Sequence, residues 1–213
     1  MILTVSEIVS SVQGEGRYAG YPTTFIRMYG CNLRCRFCDS TYANVGRRKK
    51  MSVETVLNYV FKMGNQHVCI TGGEPLLQES IYCLVYDLVE RGMHVSIETN
   101  GSVEIEDTLY KRSYNYCMDI KCPSSGMSTN NCYKNLGILQ NGDEVKFVIS
   151  DVVDYLFAKD IIKRYPTKAQ LIFSPCFDVD KKSNAHQLSQ WVHEDKIPNS
   201  RLGVQLHKLI GFY

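Results

Sequence analysis

Short runs rich in β-branched and apolar residues alternate along the chain with longer stretches whose apolar positions recur at helical spacing. Six runs predict strands that each end in a loop: 23–30, 67–73, 94–101, 114–121, 143–150 and 169–175. Four stretches predict helices: 52–64, where Val56, Val60 and Phe61 share one face after a Ser52 cap, 79–92, 152–165 and 184–195. Strands that alternate with helices favour a mainly parallel sheet. The expected fold class is α/β, a compact partial (β/α) barrel of about six mainly parallel strands.

The polar and glycine-containing segments of the chain follow the predicted strands. CNLRC, GGEP, NGS, KCPSSG and SPCF come after the first, second, third, fourth and sixth strands. The carboxyl ends of parallel strands meet at one edge of a sheet or barrel, and functional sites gather there. We therefore expect the functional site to lie on one face of the protein.

Composition and charge narrow the class of protein. The 213 residues are 44% hydrophobic, which suffices for one domain spanning 1–213. The 24 Lys and Arg nearly balance the 22 Asp and Glu, which argues against nucleic acid or an anionic membrane as the main partner and favours a small soluble ligand. The N-terminal segment does not resemble a signal peptide, and no apolar stretch approaches the roughly 18 residues that span a bilayer. A cytoplasmic location is expected.

The nine cysteines indicate a metal site rather than a disulfide framework. Their number is odd, and Cys31, Cys35 and Cys38 fall within eight positions of one predicted loop. Three thiolates suit a [4Fe–4S] cubane with one iron left open, whereas structural zinc normally takes four protein ligands. A non-catalytic zinc or iron–sulfur module stays open as an alternative, with its fourth ligand from Cys69 or Cys122.

The segment CNLRCRFC (31–38) resembles the CxxxCxxC signature of the radical S-adenosylmethionine superfamily, including Phe37 before the third cysteine. GGEP (72–75) matches a second motif of that superfamily. The resemblance implies that S-adenosylmethionine chelates the open iron of the cluster and is cleaved by one electron to a 5′-deoxyadenosyl radical. It also implies that Gly73 and Glu74 meet the amino group of S-adenosylmethionine.

Four further segments resemble the 7-carboxy-7-deazaguanine synthase family over nearly the whole chain: SSVQGEG (10–16), the arginine of FIRMYG, CDS (38–40) and QLHK (205–208). The resemblance implies that 6-carboxy-5,6,7,8-tetrahydropterin is converted to 7-carboxy-7-deazaguanine. Hydrogen abstraction at C6 starts a radical ring contraction that loses ammonia, and S-adenosylmethionine is regenerated. A homodimer and an electron donor such as flavodoxin are implied as well.

The same resemblance implies which residues form the site. For the substrate it implies Val12, Gln13, Gly14, Glu15, Arg27, Thr71, His207 and the carboxylate of Tyr213. For S-adenosylmethionine it implies Arg36, Phe37, Asp39, Gly73, Glu74, Asp119, Ile120, Lys121, Ser174, Pro175, Cys176 and Phe177. For Mg²⁺ it implies Ser40, two residues after the third cluster cysteine. The chain departs from the family pattern at DIK (119–121), where many members have SPK, and at Ser174, where others often have Gln.

A glycyl-radical-enzyme activase is the nearest alternative, because such proteins also combine a short chain, CxxxCxxC and a segment like DIK. QGEG, Arg27 and QLHK favour the pterin enzyme, since an activase acts on a protein backbone and has no evident need of a closed small-molecule pocket. Structural roles are expected for Glu98, Asn100 and Lys146. The basic run 47–50 is expected to be a solvated loop.

Overall fold

The computed structural model describes residues 1–106, 113–177 and 184–211. Nine strands form within these ranges: β1 (Ile2–Val12), β2 (Pro22–Met28), β3 (Lys49–Ser52), β4 (His67–Gly72), β5 (His94–Thr99), β6 (Tyr114–Ile120), β7 (Glu144–Ile149), β8 (Gln170–Pro175) and β9 (Ser200–Leu202). The α-helices of the same ranges are α1 (Tyr42–Val45), α2 (Val53–Met63), α3 (Ile81–Glu90), α4 (Asn135–Ile138), α5 (Val152–Arg164), α6 (Ala185–Asp195) and α7 (Leu206–Ile210). None of the described helices is long and apolar enough to cross a membrane.

All nine strands belong to one sheet, in the order β3, β1, β2, β4, β5, β6, β7, β8, β9. β1 runs antiparallel to both of its neighbours, and all other pairs are parallel. The six strands predicted from the sequence are β2, β4, β5, β6, β7 and β8, which lie side by side. The four predicted helices are α2, α3, α5 and α6. The predicted α/β fold is confirmed.

Three strands were not predicted. β1 mixes apolar and polar residues and is mostly half-buried, so its pattern is neither a buried run nor a clean alternation. β3 has the sequence KKMS and is one of the two edge strands, where exposed lysines discourage pairing with another chain. β9 has only three residues. Each of these strands lacks the continuous apolar character that identified the central ones.

Helix α2 illustrates how the local sequence sets an element and where the prediction was wrong. Ser52 caps it by accepting a hydrogen bond from the Thr55 amide at 3.1 Å, and Gly64 ends it in the left-handed region at φ 74°. Val56 and Val60 are fully buried, as predicted. Phe61, which was assigned to the same face, is 42% exposed. It directly follows Val60, so the 100° turn per residue carries it away from the core.

The sheet curls into a partial barrel. Six strands separate β1 from β9, so a flat sheet would hold them about 34 Å apart. Gly14 lies two residues beyond β1 and Leu206 four residues beyond β9, so the extended chain at the two ends covers only about 21 Å. Yet the backbones of these two segments meet, because the Leu206 amide donates to the Gly14 carbonyl at 2.8 Å. The predicted partial barrel is therefore confirmed.

Candidate functional site

A cavity of about 740 Å³ occupies the concave side of the curled sheet and reaches the loops at the carboxyl ends of the parallel strands. Most of the residues that the sequence assigned to the site line its wall, from segment 12–15 to segment 174–177 and His207. Arg36, Glu74 and Ile120 do not line it. Tyr213 lies outside the described residues. The predicted face of the protein thus carries a large cavity, and the roles of the lining residues stay predictions.

The three clustered cysteines stand together at this cavity. Cys31 and Cys35 are half-buried, Cys38 is exposed, and all three line the wall. The loop that carries them is anchored by the buried side chain of Leu33 and by a hydrogen bond from the Arg36 amide to the Ser125 carbonyl at 3.0 Å. Arg36 therefore contributes its backbone to the loop, and its side chain lies outside the cavity wall.

The donor set fits a cluster better than a single ion. The loop offers three thiol donors, Cys31, Cys35 and Cys38, whereas structural zinc normally takes four protein ligands. A cubane is a larger body that is held by thiolates spread around it. Three thiols on one anchored loop beside a large cavity meet that requirement.

Gly72 and Gly73 bring the loop after β4 against the start of the cysteine loop. A Cβ atom on Gly73 would overlap the Gly30 carbonyl oxygen, and one on Gly72, where φ is 110°, would lie 2.5 Å from the Met28 amide nitrogen. The Glu74 amide donates to the Gly30 carbonyl at 2.8 Å. Both positions therefore require glycine. The GGEP segment packs against Gly30 and so helps to position Cys31, the next residue.

Glu74 itself faces the interior. Its side chain is fully buried and accepts hydrogen bonds from the Leu76 amide (3.0 Å), the Thr99 hydroxyl (2.8 Å) and the Asn100 amide (2.6 Å). Burial raises the pKa of this carboxyl, although those donors oppose the shift. The Glu74 carboxylate joins the segments that follow β4 and β5. The contact between Glu74 and S-adenosylmethionine stays a prediction. Ile120 is likewise a core side chain, 1% exposed.

A network of ion pairs lines the cavity near Cys35. Lys146 lies 3.1 Å from Glu15 and 3.3 Å from Asp119, and Lys121 lies 2.6 Å from Asp119. Burial would raise the pKa of Asp119, but the two lysines outweigh it and hold that pKa below its usual range. Gln205 donates to Glu15 at 2.6 Å. Lys146 and Gln205, which the sequence did not assign to the site, thus tie the two terminal segments to the sheet.

The two terminal segments also contact each other directly. The Leu206 amide donates to the Gly14 carbonyl at 2.8 Å, and a Cβ atom on Gly14 would overlap the His207 ring. The glycine of QGEG therefore permits the close approach of QLHK. One wall of the cavity is built from both segments.

Glu98 is a second residue of the cavity wall that the sequence assigned to structure alone. Its two carboxylate oxygens accept hydrogen bonds from Thr71 at 2.8 Å and from Gln13 at 3.2 Å. Arg27 lies on β2 with its Nε 3.1 Å from Glu7 and its guanidinium carbon 5.5 Å from the centre of the Phe25 ring. The signal that would have found Glu98 is the alternation of side chains along a strand, since Glu98 and Asn100 share one face of β5 and its continuation.

Comparison with known proteins decides the family. A model of the Radical SAM superfamily matches residues 25–111. The 7-carboxy-7-deazaguanine synthase of Methanospirillum hungatei is 40% identical over 98% of this chain and 86% of its own length. That of Koribacter versatilis is 38% identical over 98% of this chain and 96% of its own. The chain belongs to the 7-carboxy-7-deazaguanine synthase family. It is therefore a radical S-adenosylmethionine enzyme of 7-deazapurine biosynthesis, with a [4Fe–4S] cluster and S-adenosylmethionine as its cofactors. This membership excludes both alternatives from the sequence analysis, the glycyl-radical-enzyme activase and the non-catalytic zinc or iron–sulfur module.

Solved structures with low sequence identity support the fold. QueE from Escherichia coli superposes with a TM-score of 0.75 at 21% identity, over 97% of this chain and 95% of that one. SuiB from Streptococcus suis, in a structure bound to S-adenosylmethionine, superposes with a TM-score of 0.55 at 13% identity, over 84% of this chain and 45% of that one. The partial barrel is thus shared with proteins of very different sequence.

Proposed function

We propose that this chain converts 6-carboxy-5,6,7,8-tetrahydropterin to 7-carboxy-7-deazaguanine, with loss of ammonia. The observation that carries the proposal is the single cavity that brings the cysteine loop, Arg27 on β2 and both terminal segments together. A pterin carboxylic acid needs a fixed cation for its carboxylate and polar partners for its ring edge. The cavity supplies both, and the cysteine loop forms another part of the same wall.

Cys31, Cys35 and Cys38 would hold the cluster, which together with bound S-adenosylmethionine would supply the radical chemistry needed at C6 of the substrate. The cavity-lining residues that would bind and orient S-adenosylmethionine are Phe37, Asp39, Gly73, Asp119, Lys121 and segment 174–177. Holding the cofactor and substrate in one orientation is the main catalytic task left to the protein.

The ring edge of the pterin presents N–H donors, so it requires acceptors. Glu98 is the acceptor that we propose for it, because Thr71 and Gln13 each engage one of its oxygens and fix the carboxylate in one orientation. Each carboxylate oxygen retains acceptor capacity beyond those bonds. The backbone of Val12 and Gly14 lines the same part of the wall. His207 packs against Gly14 there, and the Tyr213 carboxylate is retained as a proposal from the resemblance.

Replacing Arg27 with alanine is expected to weaken substrate binding by about 2 kcal/mol or more, the usual cost of losing a charge-assisted pair. A planar two-pronged donor matches a carboxylate, so Arg27→Lys is expected to restore only part of the affinity. Equilibrium binding of the pterin to the reconstituted enzyme measures the effect. The cluster spectrum is the control, because Arg27 does not touch the cysteine loop. Lost cluster absorbance in Arg27→Ala would contradict a role in substrate binding alone.

A Mg²⁺ ion bound by Ser40 and substrate oxygens is part of the proposal. Ser40 lines the cavity, and its hydroxyl donates to Asp39 at 3.1 Å. Mg²⁺ keeps several waters and takes oxygens from its substrate, so one protein ligand is sufficient. Ser40→Ala is expected to lower turnover and to blunt its dependence on added Mg²⁺, whereas Ser40→Thr keeps both. An unchanged magnesium titration in Ser40→Ala would remove this residue from the metal site.

Four further proposals accompany this one. A single domain over 1–213 and a cytoplasmic location rest on the composition and on the N-terminal sequence, whereas a homodimer and reduction by a flavodoxin rest on the resemblance. One observation supports reduction by a flavodoxin. Flavodoxin is acidic, and the four consecutive cations of 47–50 are exposed. The guanidinium of Arg48 lies 5.6 Å from the centre of the Tyr29 ring, two residues before Cys31. Opposite charges near the cluster would steer such a donor.

An anaerobic assay tests the proposed reaction. The reconstituted enzyme receives S-adenosylmethionine, Mg²⁺, a reductant and the pterin, and the products are followed by mass spectrometry. Formation of 7-carboxy-7-deazaguanine without net consumption of S-adenosylmethionine is expected. Release of 5′-deoxyadenosine with no deazaguanine product would overturn the assignment of this substrate.

A further inference from the structure

Asn100 contacts a cysteine of the cluster loop. Its side-chain amide nitrogen lies 3.4 Å from the sulfur of Cys31 and 3.1 Å from Oδ1 of Asn32. The residue directly follows β5, is 8% exposed and lines the cavity. The Leu33 amide also donates to the Cys31 sulfur, at 3.4 Å. This sulfur therefore receives two N–H groups, of which the one from Asn100 can be removed by substitution.

The surrounding hydrogen bonds determine which end of the Asn100 amide faces the sulfur. Oδ1 accepts from the Ser102 amide at 2.9 Å, and a backbone N–H can only donate. Nδ2 must therefore point towards Cys31 and Asn32. A flipped amide would place Oδ1 against the Asn32 oxygen and leave the Ser102 donor facing an NH₂ group.

Glu74 holds the backbone of Asn100 in place. Its buried carboxylate accepts the Asn100 amide at 2.6 Å and the Thr99 hydroxyl at 2.8 Å. The loop that carries Glu74 is itself tied to Gly30, next to Cys31. Asn100 and Cys31 are thus fixed relative to each other through a short chain of buried contacts. Because the Asn100 N–H donor is already held in position, little reorganisation is needed when the Cys31 sulfur gains negative charge.

We propose that Asn100 tunes the cluster by donating a hydrogen bond to the Cys31 thiolate, and so makes the cluster easier to reduce. The step concerned moves one electron from an external reductant onto the cluster, with no bond formed or broken. Added negative charge spreads onto the thiolates, so an N–H donor stabilises the reduced state more than the oxidised one. The proposal depends on the cluster alone and not on which substrate the enzyme takes.

The test is an anaerobic redox titration of the reconstituted protein without substrate, using Eu(II) as reductant and electron paramagnetic resonance as the readout. Asn100→Ala removes the donor. At a fixed potential its ratio of reduced to oxidised cluster is expected to fall about tenfold, which corresponds to about 59 mV for one electron. Asn100→Asp keeps the acceptor for the Ser102 amide and replaces the N–H group with oxygen. The ratio of reduced to oxidised cluster is expected to fall further in Asn100→Asp than in Asn100→Ala.

Ser102→Ala is the matched control, since it removes the hydrogen bond between Ser102 and Asn32 (2.8 Å) and leaves Asn100 on Cys31. Its titration is expected to match that of the unaltered protein. The proposal is overturned if Asn100→Ala titrates like the unaltered protein, if Ser102→Ala shifts as far, or if neither Asn100 variant binds the cluster. A failed pterin assay leaves this titration unaffected, so the two proposals fail separately.

Discussion

Cys35→Ala is expected to abolish turnover, because a cubane that loses one of three thiolates loses the anchored position of its open iron. Burial raises the pKa of the Cys35 thiol above its usual value, and the nearby Cys38, Asp119 and Cys31 raise it further against the opposing charge of Lys121. The metal-free thiol is therefore protonated at neutral pH. Cluster binding must displace that proton, which iron does readily because only the thiolate is a good ligand.

Iron and labile sulfide content, together with deazaguanine formation, measure the result. Cys83→Ala is the matched control, since Cys83 is also a half-buried free cysteine but lies on α3, and it does not line the cavity. It is expected to keep full iron content and turnover. A Cys35→Ala protein with a complete cluster and undiminished turnover would contradict the assignment of the three cysteines.

Local signals in the sequence were sufficient for the central sheet and for the cysteine loop. Cys31, Cys35 and Cys38 lie within eight positions, so a single anchored loop presents them together. The strands that were predicted correctly are buried runs whose apolar character is continuous. β1 was not predicted because several of its residues line the cavity, and the polar Ser10 and Ser11 among them interrupt its apolar pattern.

Contacts between residues far apart in the sequence could not be predicted from local patterns. Glu74 was predicted to meet the cofactor because GGEP matches a motif, but the motif gives no sign that its carboxylate accepts a hydrogen bond from the Asn100 amide, 26 residues further along the chain. Glu98 and Lys146 were expected to be structural because a lone charge in a strand gives no sign of which wall it faces. Their partners Gln13 and Glu15 lie 85 and 131 residues away.

Lys146→Met is expected to destabilise the metal-free protein by about 3–5 kcal/mol, the typical cost of removing one partner from a buried charge network. Lys146 lies between Glu15 and Asp119, and only 16% of its side chain is exposed. Asp119 retains Lys121 as a cation, whereas Glu15 retains only the neutral Gln205. The destabilisation therefore comes mainly from the unpaired Glu15, which connects the N-terminal segment to the sheet. Substrate turnover is expected to fall as well.

The pH dependence separates lost charge pairing from lost packing. Burial alone would raise the pKa of Glu15, but Lys146 and Gln205 outweigh it and hold that pKa below 4.5. A carboxyl whose folded-state pKa is lowered adds stability above its unfolded-state pKa and loses it as the pH falls through the folded-state value. The free energy difference between Lys146→Met and the unaltered protein should therefore be largest near neutral pH and shrink below about pH 4.5.

Lys159→Met provides the matched comparison for urea unfolding of the metal-free proteins under anaerobic conditions. Lys159 is also paired with a carboxylate, that of Asp195 at 2.6 Å, but both side chains are about one-third exposed. Exposed pairs contribute at most about 1 kcal/mol, because water and salt screen the attraction. Equal losses in the two variants, or a loss in Lys146→Met that does not change with pH, would show that pairing with Glu15 and Asp119 is not what Lys146 contributes. A larger, pH-dependent loss would show that the Lys146 ammonium group stabilises the fold by pairing with Glu15 and Asp119.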